Sequence, residues 1–421
     1  MQKKLQLTIL LGSMIWFIAA LFYSFEFLLR ISVSLMVPDL MQSFAVGATV
    51  IGNISAIYYL SYQVMQIPAG MLLDRFGIKR LLSIATLIVA IGCFLFSTSS
   101  TIWLIMLSRL LIGLGSAFAF LACLKIAANW FPERSFAFMV GFTNMLGVIG
   151  AGVAEVPLAT LIDHLGWRHA MLLASCIGVG LVFLIITLVK DKPVQDIDPQ
   201  TSLRIGKNDF IQGLKHLFFS AQTWLIALFA GLMVVPIAGF GELWSVPFLT
   251  LAHHITRTEA ASINALIFIG IAVGGPVNGL LAGILGKKKP ILLLGNLGAL
   301  LCTALIVYQM HLNLFMLGTL MFFLGYFAST MLLAFAMNRA INPDKVSGTV
   351  MGLTNMMTTI GGALFQPLIG RILDSHWQGV ILHGSRVYSI GGYQAGFSSI
   401  LFALGLGLII FYFIKEPNSY T

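Results

Sequence analysis

The chain has 421 residues, of which 58% are hydrophobic and only 9% charged, with a mean hydropathy of +0.96. Soluble folds carry about 25% charged residues to cover their surface. A soluble enzyme, a disordered scaffold and a nucleic-acid-binding module are therefore excluded. The apolar runs also exceed the ~9–11 residues of a porin-type strand, which leaves an all-α polytopic membrane protein.

Twelve apolar spans are predicted, at 7–33, 48–71, 81–98, 102–129, 135–161, 169–189, 219–249, 261–285, 290–309, 312–337, 347–371 and 394–414. Each comes close to the ~20 helical residues that cross ~30 Å of hydrocarbon. The first run follows Lys3 and Lys4, is longer than a signal-peptide core and has no small-residue cleavage site, so it reads as a membrane helix.

The net charge of +9 reports topology. Of 24 Lys and Arg, three lie inside spans and 17 fall in one set of connections, those that include both termini. Only Arg168, Arg257, Arg371 and Arg386 fall in the other set. This positive-inside asymmetry predicts cytoplasmic termini and no nucleic-acid partner. The four cysteines (Cys93, Cys123, Cys176, Cys302) sit inside spans without paired spacing and read as small buried hydrophobes.

A polar stretch divides the spans six and six. The expected organisation is an N-terminal bundle at 1–190, a cytoplasmic linker at 191–217 and a C-terminal bundle at 218–421. The halves repeat. Gly70-x-Leu72-x-Asp74-x-x-Gly77-x-Lys79-Arg80 is answered 209 residues later by Gly279-x-Leu281-x-Gly283-x-x-Gly286-x-Lys288-Lys289. Gly141-Phe-Thr143-Asn144-Met145 is answered by Gly352-Leu-Thr354-Asn355-Met356, and Leu161-Ile162-Asp163 by Ile372-Leu373-Asp374, both 211 residues later.

The stretch Gly70 to Arg80, with Asp74 and Arg75 at its centre, resembles the loop signature of the major facilitator superfamily. Gly279 to Lys289 looks like its degenerate second copy. Supporting matches are Arg109-x-x-x-Gly113-x-Gly115, Phe131-Pro132-Glu133-Arg134 and Gly166-Trp167-Arg168. The resemblance covers essentially the whole chain. It implies two pseudo-symmetric six-helix bundles working as a monomer by alternating access, with a cavity lined by spans 1, 4, 7 and 10. It also implies that charges of Asp74, Arg75, Lys79, Arg80, Lys288 and Lys289 pair across the halves as a gate. Weaker resemblances run to the organic-anion carriers, through Arg30-Ile-Ser32-Val-Ser34, and to bacterial relatives of lysosomal dipeptide transporters.

Six ionisable residues lie within spans: Glu26, Arg30, Arg109, Lys125, Glu155 and Glu242. Each costs about 2.5–3.5 kcal/mol at a helix centre, so each needs a partner or a wet cavity. Glu26 and Arg30 are four apart with the acid first, the favourable order for an ion pair. Protonation of Glu26 would free the Arg30 fork to grip a carboxylate or phosphate. Counting from Leu7 puts Glu26 about 28 Å along its helix, near the outer rim. Glu242 is a second candidate proton carrier beside Trp244, a cavity wall or interfacial anchor. Glu155 reads as a cavity acid or a partner for Arg109, itself a brace or relay. Lys125 is a substrate-binding or snorkelling cation.

Ser55, Tyr59, Tyr62 and Gln66 share one face of span 2. Asn144, Asn264 and Asn355 add polar groups that lipid cannot satisfy. No P-loop, HExxH or CxxC occurs and the histidines are scattered, so no cofactor, metal or ATP-driven step is expected. The resulting expectation is a non-enzymatic secondary transporter of a bacterial inner membrane. It would take up a small carboxylate-bearing metabolite (an organic acid, amino acid or short peptide) with protons. Alternatives are a proton-driven exporter of a drug, siderophore or metabolite, a transporter-like receptor, and a lipid flippase.

Overall fold

The computed structural model describes residues 2–131, 133–191, 219–343 and 347–416, with the backbone alone at 2–9, 67, 74, 133–138, 347 and 348. Most of the expected 191–217 linker therefore lies outside the described residues. Helices α1 (Gln2–Phe44), α2 (Ala48–Phe76), α3 (Ile78–Thr98), α4 (Ile102–Trp130) and α5 (Glu133–Leu188) come first. Then follow α6 (Ala221–Val235), a π-helical stretch (Pro236–Trp244) and α7 (Ser245–His253), which run on as one span. Helices α8 (Arg257–Leu285), α9 (Lys289–Tyr308), α10 (Leu314–Ala328), α11 (Met331–Ala340), α12 (Ser347–Ser375) and α13 (Ile390–Phe413) complete the order.

Among the described residues nine helical stretches are long and apolar enough to cross a membrane. One of them holds two predicted spans: α5 breaks at Gly166, whose φ of 79° is open to glycine at no steric cost. Helices α2 and α12 have the length but are more polar, and they pack along each other. The fold is thus the expected twelve-span all-α membrane architecture, with two differences in detail. A two-stranded hairpin, β1 (Ile381–Leu382) and β2 (Ser385–Arg386), lies between α12 and α13. Cys176 is exposed, whereas Cys93, Cys123 and Cys302 are buried as expected.

Two seams join the halves, α2 on α12 and α5 on α8. Both are tight at one end. A Cβ on Gly52 would stand 2.6 Å from the Gln366 carbonyl, and one on Gly152 3.2 Å from that of Ala265. At the other end a Cβ on Gly70, Gly141, Gly279, Gly283 or Gly352 would meet nothing within 4 Å. The halves therefore diverge toward the end that carries the Gly70–Arg80 loop.

The closed end is held by carboxylates at repeat-related positions. Asp374, at the C-terminus of α12, accepts from the backbone N–H of Ala48 (3.1 Å) and Thr49 (2.8 Å) and from the Thr49 hydroxyl (2.5 Å). It thereby caps the positive end of the α2 dipole. The Tyr388 hydroxyl donates to it at 2.6 Å, and Arg386 stands 3.3 Å away. Burial and this hydrogen bond push the Tyr388 phenol up, so it remains the donor. Asp163, at the matching turn of α5, accepts from Thr258 (3.3 Å) at the head of α8. Arg257 lies 3.4 Å from Asp163 and 2.8 Å from Asp39 of α1. Each half thus ends a helix with an aspartate that fastens the first turn of a helix in the other half.

At the open end no cross-half charge pair of the expected gate is formed among the described residues, as suits the state in which such pairs are broken. The side chain of Asp74 lies outside the described residues. Instead of cross-half pairs, Asp191 accepts from Ile78 N (2.8 Å) and Lys79 N (3.1 Å) of its own half. Glu416 likewise binds Lys288 N and Lys289 N. Arg75 and Arg80 are exposed, with the Arg75 guanidinium over Phe76.

A hydrogen bond to a charged group contributes about 1.5–3 kcal/mol, so Asp374→Ala should shift the population at least ~10-fold toward opening at its end. The check is alkylation of a Thr358→Cys reporter in the cavity by an impermeant reagent added from that side. Unchanged labelling would discount Asp374 as a latch.

Candidate functional site

Between the diverging helices lies a cavity of about 290 Å³, bounded by both halves. Its walls are mostly apolar, from Phe27, Phe120, Phe268, Met331, Phe335 and others. Its polar groups are few: Tyr23, Arg30, Tyr59, Tyr62, Asn144, Glu242, Asn355, Thr358 and Thr359. A small set of convergent polar groups in an apolar pocket is the usual form of a ligand site. The repeat explains two of them. Thr143 accepts from Trp16 and Thr354 from Asn338, each within its own half, while the following asparagines line the cavity.

Arg30 is the one cation lining the cavity among the described residues. Its Nη2 donates to Glu26 Oε1 at 2.5 Å, so the predicted pair exists. The rim position does not hold. Helix α1 extends to Phe44, which puts Glu26 mid-helix and fully buried. Aromatic rings surround the guanidinium, with Phe27 at 4.3 Å, Tyr62 at 5.4 Å, Tyr58 at 5.7 Å and Tyr59 at 6.0 Å. Such rings hold a cation without neutralising it. Arg30 Nε and Glu26 Oε2 have no protein partner.

Tyr58 was not legible as a site residue. Its hydroxyl donates to Glu26 Oε1, beside Arg30. It lies one position off the Ser55–Tyr59–Tyr62–Gln66 face, so the helical period did not select it. A tyrosine run within reach of an intramembrane acid was the available signal.

Other predicted residues go elsewhere. The Lys125 ammonium donates to the Leu73 carbonyl (2.5 Å), away from the cavity lining, and ties α4 to the end of α2. Arg109 does not pair with Glu155. Its Nη1 donates to the Leu29 carbonyl (2.8 Å) and its guanidinium stands 4.7 Å from the Tyr58 ring, so it braces α1 against α2. Trp244 is fully buried and donates to the Gln366 carbonyl (3.1 Å), neither cavity wall nor interfacial anchor. Gln66 is half-buried and does not line the cavity. Glu242 does line it, from the π-helical stretch that begins at Pro236, and such stretches recur at functional sites.

The major facilitator superfamily model matches residues 15–246 and 237–421. The chain belongs to the major facilitator superfamily. Its relatives include a "Probable sulfoacetate transporter SauU" of Cupriavidus necator, 21% identical over 86% of this chain and 87% of that protein. The membrane sensor protein UhpC of Escherichia coli is 22% identical over 92% of this chain and 89% of its own. Among solved structures, a bacterial homolog of the human lysosomal transporter Spinster, inward-facing and unoccupied, superposes with a TM-score of 0.81. It shares 16% identity, over 96% of this chain and 97% of that one. The protein is accordingly an integral membrane transporter of small molecules, and not an enzyme.

Replacing Arg30 by Lys keeps the charge but loses the planar fork. At a bidentate contact worth about 1.5–3 kcal/mol, Arg30→Lys should weaken anion binding roughly 10–100-fold. Tyr58→Phe, which frees one lone pair of Glu26, should alter the pH dependence of binding more than its limit at low pH. Isothermal titration with a bound substrate distinguishes the two.

Proposed function

We propose that the protein carries a small organic anion, bearing a carboxylate or a comparable oxyanion, across a bacterial inner membrane together with protons. The observation that supports this reading is Arg30, the lone cation lining the cavity among the described residues, held by the buried acid Glu26. Glu26 and an incoming anion would compete for one guanidinium. Protonation of Glu26 releases Arg30 to the anion, and departure of the anion returns Arg30 to Glu26. Charge is thereby kept balanced in a medium where an unpaired ion is costly. The cavity volume suits a metabolite of modest size. The name of the Cupriavidus relative, a sulfoacetate transporter, supports the same class of cargo.

The basic residues that concentrate beside the open end support a cytoplasmic location for it and for both termini. On that assignment the conformation described here faces inward, and Asp374 and Asp163 close the outer side. We assign the working unit to a single chain of two bundles, at 1–190 and 218–421. A second reading, a membrane receptor for the same anion, draws support from the sensor among the relatives.

The test is solid-supported-membrane electrophysiology on the reconstituted protein with organic acids, sulfonates, sugar phosphates, amino acids and dipeptides, with and without a pH gradient. An anion-dependent, proton-driven current is expected, lost in Arg30→Ala and uncoupled from pH in Glu26→Gln. Currents unaltered in both variants would overturn the site. Binding without current under any gradient would favour the receptor.

A further inference from the structure

Glu155 is the one intramembrane acid among the described residues that the cavity does not use. It sits on α5 between Val148, which lines the cavity, and Asp163, which belongs to the closed-end seal. At 1.5 Å per residue these lie about 10 Å below it and 12 Å above it. Glu155 is fully buried against α8 in the seam between the halves. One position from its partner on α8, Gly152 of α5 meets Ala265 closely, a Cβ there standing 3.2 Å from the Ala265 carbonyl.

That partner is Asn264, also fully buried. Its Nδ2 donates to Glu155 Oε1 (2.7 Å) and to the Gly241 carbonyl (3.0 Å). A carbonyl only accepts, so Gly241 fixes which way the Asn264 amide points. Two buried oxygens then remain without any donor, Glu155 Oε2 and Asn264 Oδ1. Buried polar atoms are seldom left so. A carboxyl and an amide already joined through one N–H···O bond close an eight-membered ring if the acid carries a proton, Oε2–H donating to Oδ1. One proton satisfies both orphans.

We infer that the Glu155–Asn264 pair is a proton-binding site, separate from the Glu26–Arg30 pair, whose occupancy fastens α5 to α8 in the conformation closed at the Asp163 end. No basic side chain offers an alternative among the described residues. Of the ionisable groups on the elements packed around it, Arg30 is engaged by Glu26, Arg109 by the Leu29 carbonyl and Lys125 by the Leu73 carbonyl. Arg257 is engaged by Asp39 and Asp163, and Glu242, next to Gly241, is an acid. Two orphan oxygens are also too few for a hard metal cation, which takes six or more oxygen ligands. Opening the seam would part Glu155 from Asn264 and expose the acid to solvent, where the proton leaves. The Gly241 carbonyl links the pair to the stretch that carries Glu242, so loading reaches the cavity wall.

The test uses the reconstituted full-length chain. Infrared spectroscopy should find the C=O stretch of a protonated carboxyl, shifted in D₂O. It should be absent in Glu155→Gln and retained in Glu242→Gln and Glu26→Gln. Gln keeps both hydrogen bonds to the amide, so this variant should fold and mimic the loaded state. Spin labels at His164→Cys and Gln378→Cys, with Cys176→Ala, then read the closed end. The distance should lengthen as the carboxyl band titrates away with rising pH, and stay short at every pH in Glu155→Gln. A band that survives Glu155→Gln, or a pH response unchanged by it, overturns the inference. So does closure driven by Na⁺ at fixed pH. Arg30→Ala should lose the anion response and keep the band, so failure of the cargo site is read separately.

Discussion

An arginine held in the middle of a membrane protein needs a counter-charge or a backbone carbonyl, because hydrocarbon offers neither water nor counter-ions. Here that requirement falls on Arg30, and much of the N-terminal half is arranged around it. Glu26 neutralises it from the same helix, Tyr58 donates to the same carboxylate oxygen from α2, and four aromatic rings fill the remaining directions. Arg109 holds α1 in place through the Leu29 carbonyl, one residue from Arg30. The pair is satisfied but not saturated: Arg30 Nε and Glu26 Oε2 have no protein partner. The anion-binding role proposed for Arg30 rests on these open positions.

The internal repeat distributes the rest of the mechanism. Asp163 and Asp374 occupy the same place in each half, and each fastens a helix start in the other half. Asp191 and Glu416 do the corresponding work at the open end, but each within its own half. The closed end therefore carries bonds that opening must break, while the open end carries bonds that survive the change.

Much of this was legible in the chain. Hydropathy gave twelve spans, the helical period gave the Glu26–Arg30 pair, and the repeat matched Asn144 with Asn355 as cavity residues. Legibility failed where a side chain's destination depends on a neighbouring helix. Lys125, Trp244 and Arg109 are polar or amphipathic groups in cavity-lining spans, yet each turns to a backbone carbonyl of another helix. Tyr58 failed in the opposite sense, since a one-residue offset on α2 moved it off the expected face and onto Glu26. The rim alternative for Glu26 came from ending the first span at residue 33, whereas α1 runs on through Pro38 to Phe44.

By itself, then, the sequence determined the solvent, the number of crossings, the two-fold plan and the Glu26–Arg30 ion pair. These depend on apolar content, spacing along one helix and self-similarity, all of which are local or additive. Only the tertiary structure decided which end is closed, which acid meets which amide across α5 and α8, and which polar groups share the cavity. Those outcomes depend on how helices distant in sequence approach one another. That approach is set by small residues such as Gly52 and Gly152 at the seams, whose meaning appears only when the facing carbonyl is known.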